Sequence, residues 1–289
     1  MRTPTPNSPS SSPSRAAATT TPFLTPSNPS KPPSRRLLTL QALTWRFLAR
    51  IGFWLHTFPT PSPPAPSFHR TFRTTALHDS TSAASLNLAF YVPADYTRQI
   101  QHGKRYPVVV SFHGGGFTVL LRLQTYLQSL APGLDDAPRP HVVAIIAWYP
   151  SLDYRLSRSQ RRAASIRPDK ALPAVLTDLF DASYLPDPAC VTSPYVSPAA
   201  ATDEALMTAL PVYIALYLCE WDMLLREGMD FGERLEGLGK RVRCVVVDER
   251  GHGFDKNPWP FGLDWKVGLY YGRACQWLCE VLEDSRGKD

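Results

Sequence analysis

The chain is 289 residues long and carries 31 Lys and Arg against 25 Asp and Glu, a net charge of +6, with 44% hydrophobic and 19% charged residues. That length holds one large domain or two small ones, and the apolar content is enough for most of it to bury a core. The charge is uneven: nine basic and no acidic residues precede Asp79, which puts +9 on the leading segment and −3 on the remainder. The globular part therefore has no basic stripe, and no nucleic-acid partner is expected.

Residues 1–35 are dominated by Ser, Thr, Pro and Ala, with almost no long apolar side chains. Such a segment cannot bury enough surface to offset its ordering entropy, so it reads as a disordered tail. Residues 36–58 form a basic and apolar run with helical character, in which Arg46 and Arg50 argue against a bilayer crossing. Three readings of that run stay open: a targeting presequence, a helix lying on a membrane surface, or a helix packing its Leu and Trp face against the domain as part of a lid. Residues 59–67 (PTPSPPAPS) read as a stiff linker, closing a second region at 36–67.

From residue 68 to 289 the pattern is globular. Apolar runs at 86–92, 106–112, 141–148, 212–219 and 241–248 read as strands. Residues 120–130, 172–184, 224–238 (ending at Gly239) and 265–282 read as helices, with a Pro-interrupted cap region over 151–210. Strands alternating with helices imply an α/β domain with a mostly parallel sheet. Cys219 and Cys244 fall in the buried-strand runs, Cys275 and Cys279 share a helix face, and Cys190 stands alone. No paired C-x-x-C unit occurs, so neither a metal site nor a disulfide framework is expected. The reading is reduced thiols in a core, suited to an intracellular and cytoplasmic setting, with a membrane-associated or mitochondrial one if the basic segment acts as an address.

Three stretches carry chemistry. His113, Gly114, Gly115 and Gly116 follow the run at 106–112, where a glycine-rich loop can turn backbone N–H groups toward a developing oxyanion. Asp222 lies just past the strand at 212–219, and His252, in Gly251-His252-Gly253, just past the strand at 241–248. One helix and one strand separate the two, so they fall on neighbouring loops at one sheet edge, where a carboxylate can orient an imidazole.

With HGGGF at 113–117, WYPSLDY at 148–154, SPYVSP at 193–198, CEWDMLLREG at 219–228 and GHGF at 251–254, the chain resembles the α/β-hydrolases of the hormone-sensitive-lipase type, the fold-3 group of carboxylesterases, lipases and arylacetamide-deacetylase-like enzymes. The resemblance runs over about residues 84–284. It implies Asp222 and His252 as triad acid and base, Gly114 and Gly115 as oxyanion donors, His113 and Gly116 as shapers of that loop, small acyl esters as substrates and no cofactor. One part is missing: no Gly-x-Ser-x-Gly occurs in the 289 residues. Two strands, a helix and the serine elbow of the family are absent between Phe117 and about Leu121. Ser111, Ser129 and Ser151 have no elbow setting, Cys219 reads as a core residue, and Asp153-Tyr154-Arg155-Leu156 follows the wrong strand to stand for the family's DYRL stretch.

The expectation is therefore an α/β-hydrolase fold truncated by an internal deletion, with the strand at 106–112 brought beside that at 141–148 and the helix at 120–130 as crossover. By resemblance it is a serine-type hydrolase of carboxylic esters, inactive or nearly so for want of a nucleophile. The alternative is a non-catalytic relative binding an acyl ligand or a protein partner.

Overall fold

A computed structural model describes residues 34–55, 64–74, 84–104, 106–111, 141–185, 188–256 and 264–286. The tail at 1–33, the loop holding His113, Gly114, Gly115 and Gly116, and the helix expected at 120–130 lie outside the described residues.

The sheet is organised by its middle strand. In β4 (Tyr213–Cys219), Ile214 to Cys219 are buried, and alternate side chains serve opposite faces. Ile214, Leu216 and Leu218 pack with Phe231 and Leu235 of one helix, while Ala215, Tyr217 and Cys219 pack with Tyr270, Ala274, Trp277 and Val281 of another. A strand covered on both faces has to be apolar at every position, which is why this run lacks the alternation of a half-exposed strand. On its two sides lie β3 (Ala144–Trp148) and β5 (Arg241–Val247), both parallel to it, in the order β3-β4-β5.

The first covering helix, α6 (Leu225–Gly237), approaches β4 and β5 closely through two glycines one turn apart. A Cβ at Gly228 would stand 2.5 Å from Leu218 Cδ2, and one at Gly232 2.5 Å from Cys244 Sγ. The helix ends before Gly239, whose φ of +79° suits a residue without Cβ. The second, α7 (Trp265–Arg286), turns Tyr270, Ala274, Trp277 and Val281 to the sheet at helical spacing. Between β3 and β4 the cap region holds α3 (Arg158–Ala163), α4 (Ala174–Tyr184) and α5 (Asp203–Ala209). Ser157 and Gln160 form a capping box on α3, and Thr202 caps α5.

A buried ion pair fastens this region to the sheet. Arg161 and Glu227 lie 3.1 Å apart, both nearly inaccessible. Glu227 Oε1 accepts the Leu152 N–H at 2.8 Å, and Arg161 donates to the Asp153 carbonyl and to Ser151 Oγ. Burial pushes the Glu227 carboxyl up and the Arg161 guanidinium down from their ordinary ranges, so desolvation outweighs what these bonds and the mutual attraction return to the charged pair.

Four expectations need correction. The strand expected at 106–112 does not form over 106–111, which belongs to no element, and Val108, Val109 and Val110 are 84%, 72% and 57% exposed. β3 is hydrogen-bonded on one side only among the described residues, so the expected pairing of this run with β3 is not made. Without a partner for its amides, an apolar run has nothing to hold it extended. Second, the residues at 68–74, not read as a strand, form β1 (Phe68–Thr74), antiparallel to β2 (Ala84–Phe90) in a separate two-stranded ribbon that is followed by a short helix, α2 (Tyr96–Gln101). Third, α1 (Arg35–Leu55) touches α4 but does not lay its leucine face on the domain: Leu37, Leu40, Leu43, Phe47, Leu48 and Ile51 are exposed, whereas Leu38, Gln41, Ala42 and Gly52 are shielded. Fourth, the cysteines are free thiols, but Cys190, Cys275 and Cys279 are exposed. The last two lie off the stripe that α7 turns to the sheet.

Candidate active site

Both β4 and β5 end at the same edge, and the loops that follow are stitched together by their own backbones. Glu220 N–H donates to the Val247 carbonyl at 3.0 Å, Trp221 N–H to the Arg250 carbonyl at 2.9 Å, and Glu220 Oε2 accepts the Glu249 N–H at 2.6 Å. The second loop needs left-handed backbone at Glu249 (φ 54°) and Gly253 (φ 71°) to double back. Lys266 and Arg250 then fix it to the start of α7 through Asp248 and Asp264, at 2.8 and 2.5 Å.

This bracing brings Asp222 and His252 together. Asp222 Oδ2 stands 2.7 Å from His252 Nδ1, with the aspartate side chain 2% exposed and the imidazole 28%. The other carboxylate oxygen, Oδ1, accepts the Leu224 N–H at 3.1 Å, which fixes the carboxylate plane at the entrance to α6. The pairing expected from the spacing is thus present in the geometry, and the ring edge bearing Nε2 is turned away from the carboxylate.

An aromatic and acidic network behind His252 was not legible in the sequence. Trp148, the last residue of β3, stacks between Tyr217 and Tyr271, with centroids at 4.2 and 4.3 Å. The chain then turns through Tyr149, which adopts a φ of 37° that non-glycine residues rarely accept. The turn sets the Tyr149 ring edge-on to the His252 imidazole at 4.7 Å and sends its hydroxyl to Asp255 Oδ1 at 2.6 Å. Tyr271 donates to the other oxygen of Asp255 at 2.7 Å, and Lys256 pairs with it at 2.8 Å. Burial opposes ionisation of Asp255, but these donors outweigh it and hold the carboxyl below the usual carboxylate range. Asp255 lies three residues past His252; that nearness was the available signal, but nothing in the sequence pointed from it to Tyr149.

Cys219, at the end of β4, is buried, and burial followed by the charges of Asp222 and Asp255 pushes its thiol far up, so it is no thiolate. Ser151 is held by Arg161 at 3.2 Å, and Ser111 lies in the exposed run. From the cap, Arg167 lies 5.2 Å over the Trp221 ring and the Lys170 carbonyl abuts Gly251, so residues 167–170 border the Asp222–His252 edge. Among the described residues no group of three or more His, Cys, Asp or Glu is placed to hold a metal ion.

Residues 127–256 match the sequence model of the α/β-hydrolase fold. The hormone-sensitive lipases of Mus musculus and Bos taurus are each 39% identical over 64 residues, 22% of this chain and 8% of the lipase, so the match spans a small part of those proteins. Among solved structures, a Rhizomucor miehei esterase aligns over 59% of this chain and 50% of its own, at 21% identity and a TM-score of 0.45. Carboxyl esterase 2 of Tuber melanosporum aligns over 47% and 40%, at 24% identity and a TM-score of 0.38.

Proposed function

The chain belongs to the α/β-hydrolase fold-3 family, a family of carboxylesterases and lipases, and from that premise we propose that it carries the acid–base half of a serine-type acyl-transfer site for carboxylic esters. The observation that supports this most is the 2.7 Å contact between buried Asp222 and part-exposed His252 at the carboxyl ends of neighbouring parallel strands. An ionised Asp222 can only accept, so in the neutral ring the Nδ1–H donates to it and the lone pair falls on Nε2. That is the arrangement of a general base that takes a proton from a hydroxyl and later returns it to a leaving alcohol. Gly114 and Gly115 would supply the oxyanion donors, in a loop shaped by His113 and Gly116. Without a Gly-x-Ser-x-Gly the chain as written has no nucleophile to deprotonate, and it turns over esters no faster than a free imidazole does.

The missing elbow also favours a second reading, a non-catalytic relative that binds an acyl ligand or a protein partner. One experiment separates them: sequencing the native transcript across the codons for Phe117 to Leu123, alongside p-nitrophenyl butyrate hydrolysis and fluorophosphonate labelling of the chain. An inserted Gly-x-Ser-x-Gly supports the esterase; in that longer protein Asp222→Asn or His252→Gln lowers kcat by roughly 10³- to 10⁴-fold. A transcript that reads straight through, with saturable binding of an acyl ligand and no adduct, supports the second reading. A fluorophosphonate adduct on Ser111 or Ser151 of the present chain that abolishes turnover would sink both.

A further inference from the structure

We propose that α1 is a membrane-surface helix that lays its outward face on an anionic phospholipid bilayer. The proposal does not depend on the hydrolase reading. With 21 residues, α1 is about 32 Å long at 1.5 Å per residue. Projected at roughly 100° per residue, Leu37, Leu40, Leu43, Phe47, Leu48 and Ile51 fall within an arc about 140° wide, and all six are exposed, Leu40 and Phe47 at 63% each. Of the less exposed residues of α1, Leu38, Gln41, Ala42 and Gly52 lie outside that arc, and only Leu55, at the helix end, falls within it.

Charge selects the occupant. α1 contains Arg35, Arg36, Arg46 and Arg50 and no acidic residue. Projected in the same way, Arg50 borders the apolar arc, Arg36 falls within it at the amino-terminal end, and Arg46 and Arg35 lie about 60° and about 80° beyond the arc's Arg50 edge. Long basic side chains flanking an apolar face can reach phosphate while the face enters the acyl boundary. A second copy of the chain would instead have to bring these guanidinium groups together. Among the described residues no helix is long and apolar enough to cross a membrane, so the helix lies along the bilayer plane.

The test is flotation of the full chain with vesicles of phosphatidylcholine containing about 30% phosphatidylserine, and with pure phosphatidylcholine. The expected result is partition into the anionic vesicles only, weakened roughly a hundredfold by the combined Arg35→Gln, Arg46→Gln and Arg50→Gln changes. Salt at about 0.5 M weakens it similarly. Leu40→Ser, Phe47→Ser and Ile51→Ser together abolish partition, with an unchanged far-UV spectrum and melting temperature, because these side chains contribute nothing to the core. Failure to float, equal partition into neutral vesicles, or full binding by the serine variant overturns the proposal. So does a dimer in sedimentation that the serine variant converts to monomer, since the face would then belong to a second copy.

Discussion

Two identical tripeptides meet opposite fates in this molecule. Val245, Val246 and Val247 close β5, each in register with β4, and Val247 is fully buried. Val108, Val109 and Val110 belong to no strand and stand in solvent at 84%, 72% and 57% exposure. The intrinsic preference for extended structure is the same in both, so what differs is the neighbour. β5 finds amide partners on β4 and helical cover over Val247, although Val246 stays 41% exposed, whereas among the described residues the run at 106–111 has neither partner nor cover. Strand propensity reflects how well a residue fits a pleated, half-buried surface, and it has no effect where that surface is not supplied.

The sharpest way to break the ordered region is through its buried charge. Glu227→Ala leaves Arg161 buried and unpaired and should cost about 3–5 kcal/mol in urea unfolding, whereas replacing both residues by Met recovers most of that loss. Next comes the middle strand: Leu216→Ala opens a cavity beneath α6, with an expected loss of about 2–5 kcal/mol. Removing the Tyr149 hydroxyl with Tyr149→Phe takes one donor from the Asp255 carboxylate. It should cost about 1.5 kcal/mol, and the His252 ring should show greater mobility by NMR relaxation.

Acid should act on the same network. Asp255 titrates below its ordinary range in the folded protein, because Lys256, Tyr149 and Tyr271 together outweigh its burial. A folded pKa below the unfolded one means that the unfolded chain binds the proton first. The stabilisation is therefore complete above about pH 4 and is lost as pH falls through the folded value. Asp255→Asn should flatten this acid limb in melting temperatures recorded between pH 5 and pH 2. The smallest effect is expected in the other valine run, where Val109→Ser should change stability by less than about 0.5 kcal/mol. A loss comparable to that of Leu216→Ala would show that Val109 is buried in solution and would remove the contrast.

Much of the fold was legible in the sequence, for identifiable reasons. The runs at 212–219 and 241–248 and the helices that follow each of them emerged within a few residues of β4 (Tyr213–Cys219), β5 (Arg241–Val247), α6 (Leu225–Gly237) and α7 (Trp265–Arg286). Their periodicity reports burial by adjacent elements, and those neighbours are close in sequence. The Asp222–His252 contact was legible on the same ground, since one helix and one strand bring consecutive parallel strands to the same edge. Tyr149 was not, because its reach to Asp255 spans 106 residues and requires a left-handed turn that no local signal marks.

The sequence by itself therefore determined the parallel α/β order, the edge on which the acid and imidazole meet, and the absence of a Gly-x-Ser-x-Gly. Each of these is a matter of residue type and spacing. Only the tertiary structure decided which apolar runs become strands, which face of α1 is left to solvent, and what stands behind His252. Those outcomes depend on whether a partner surface is present to take up the amides and side chains, and a local pattern does not encode its partner.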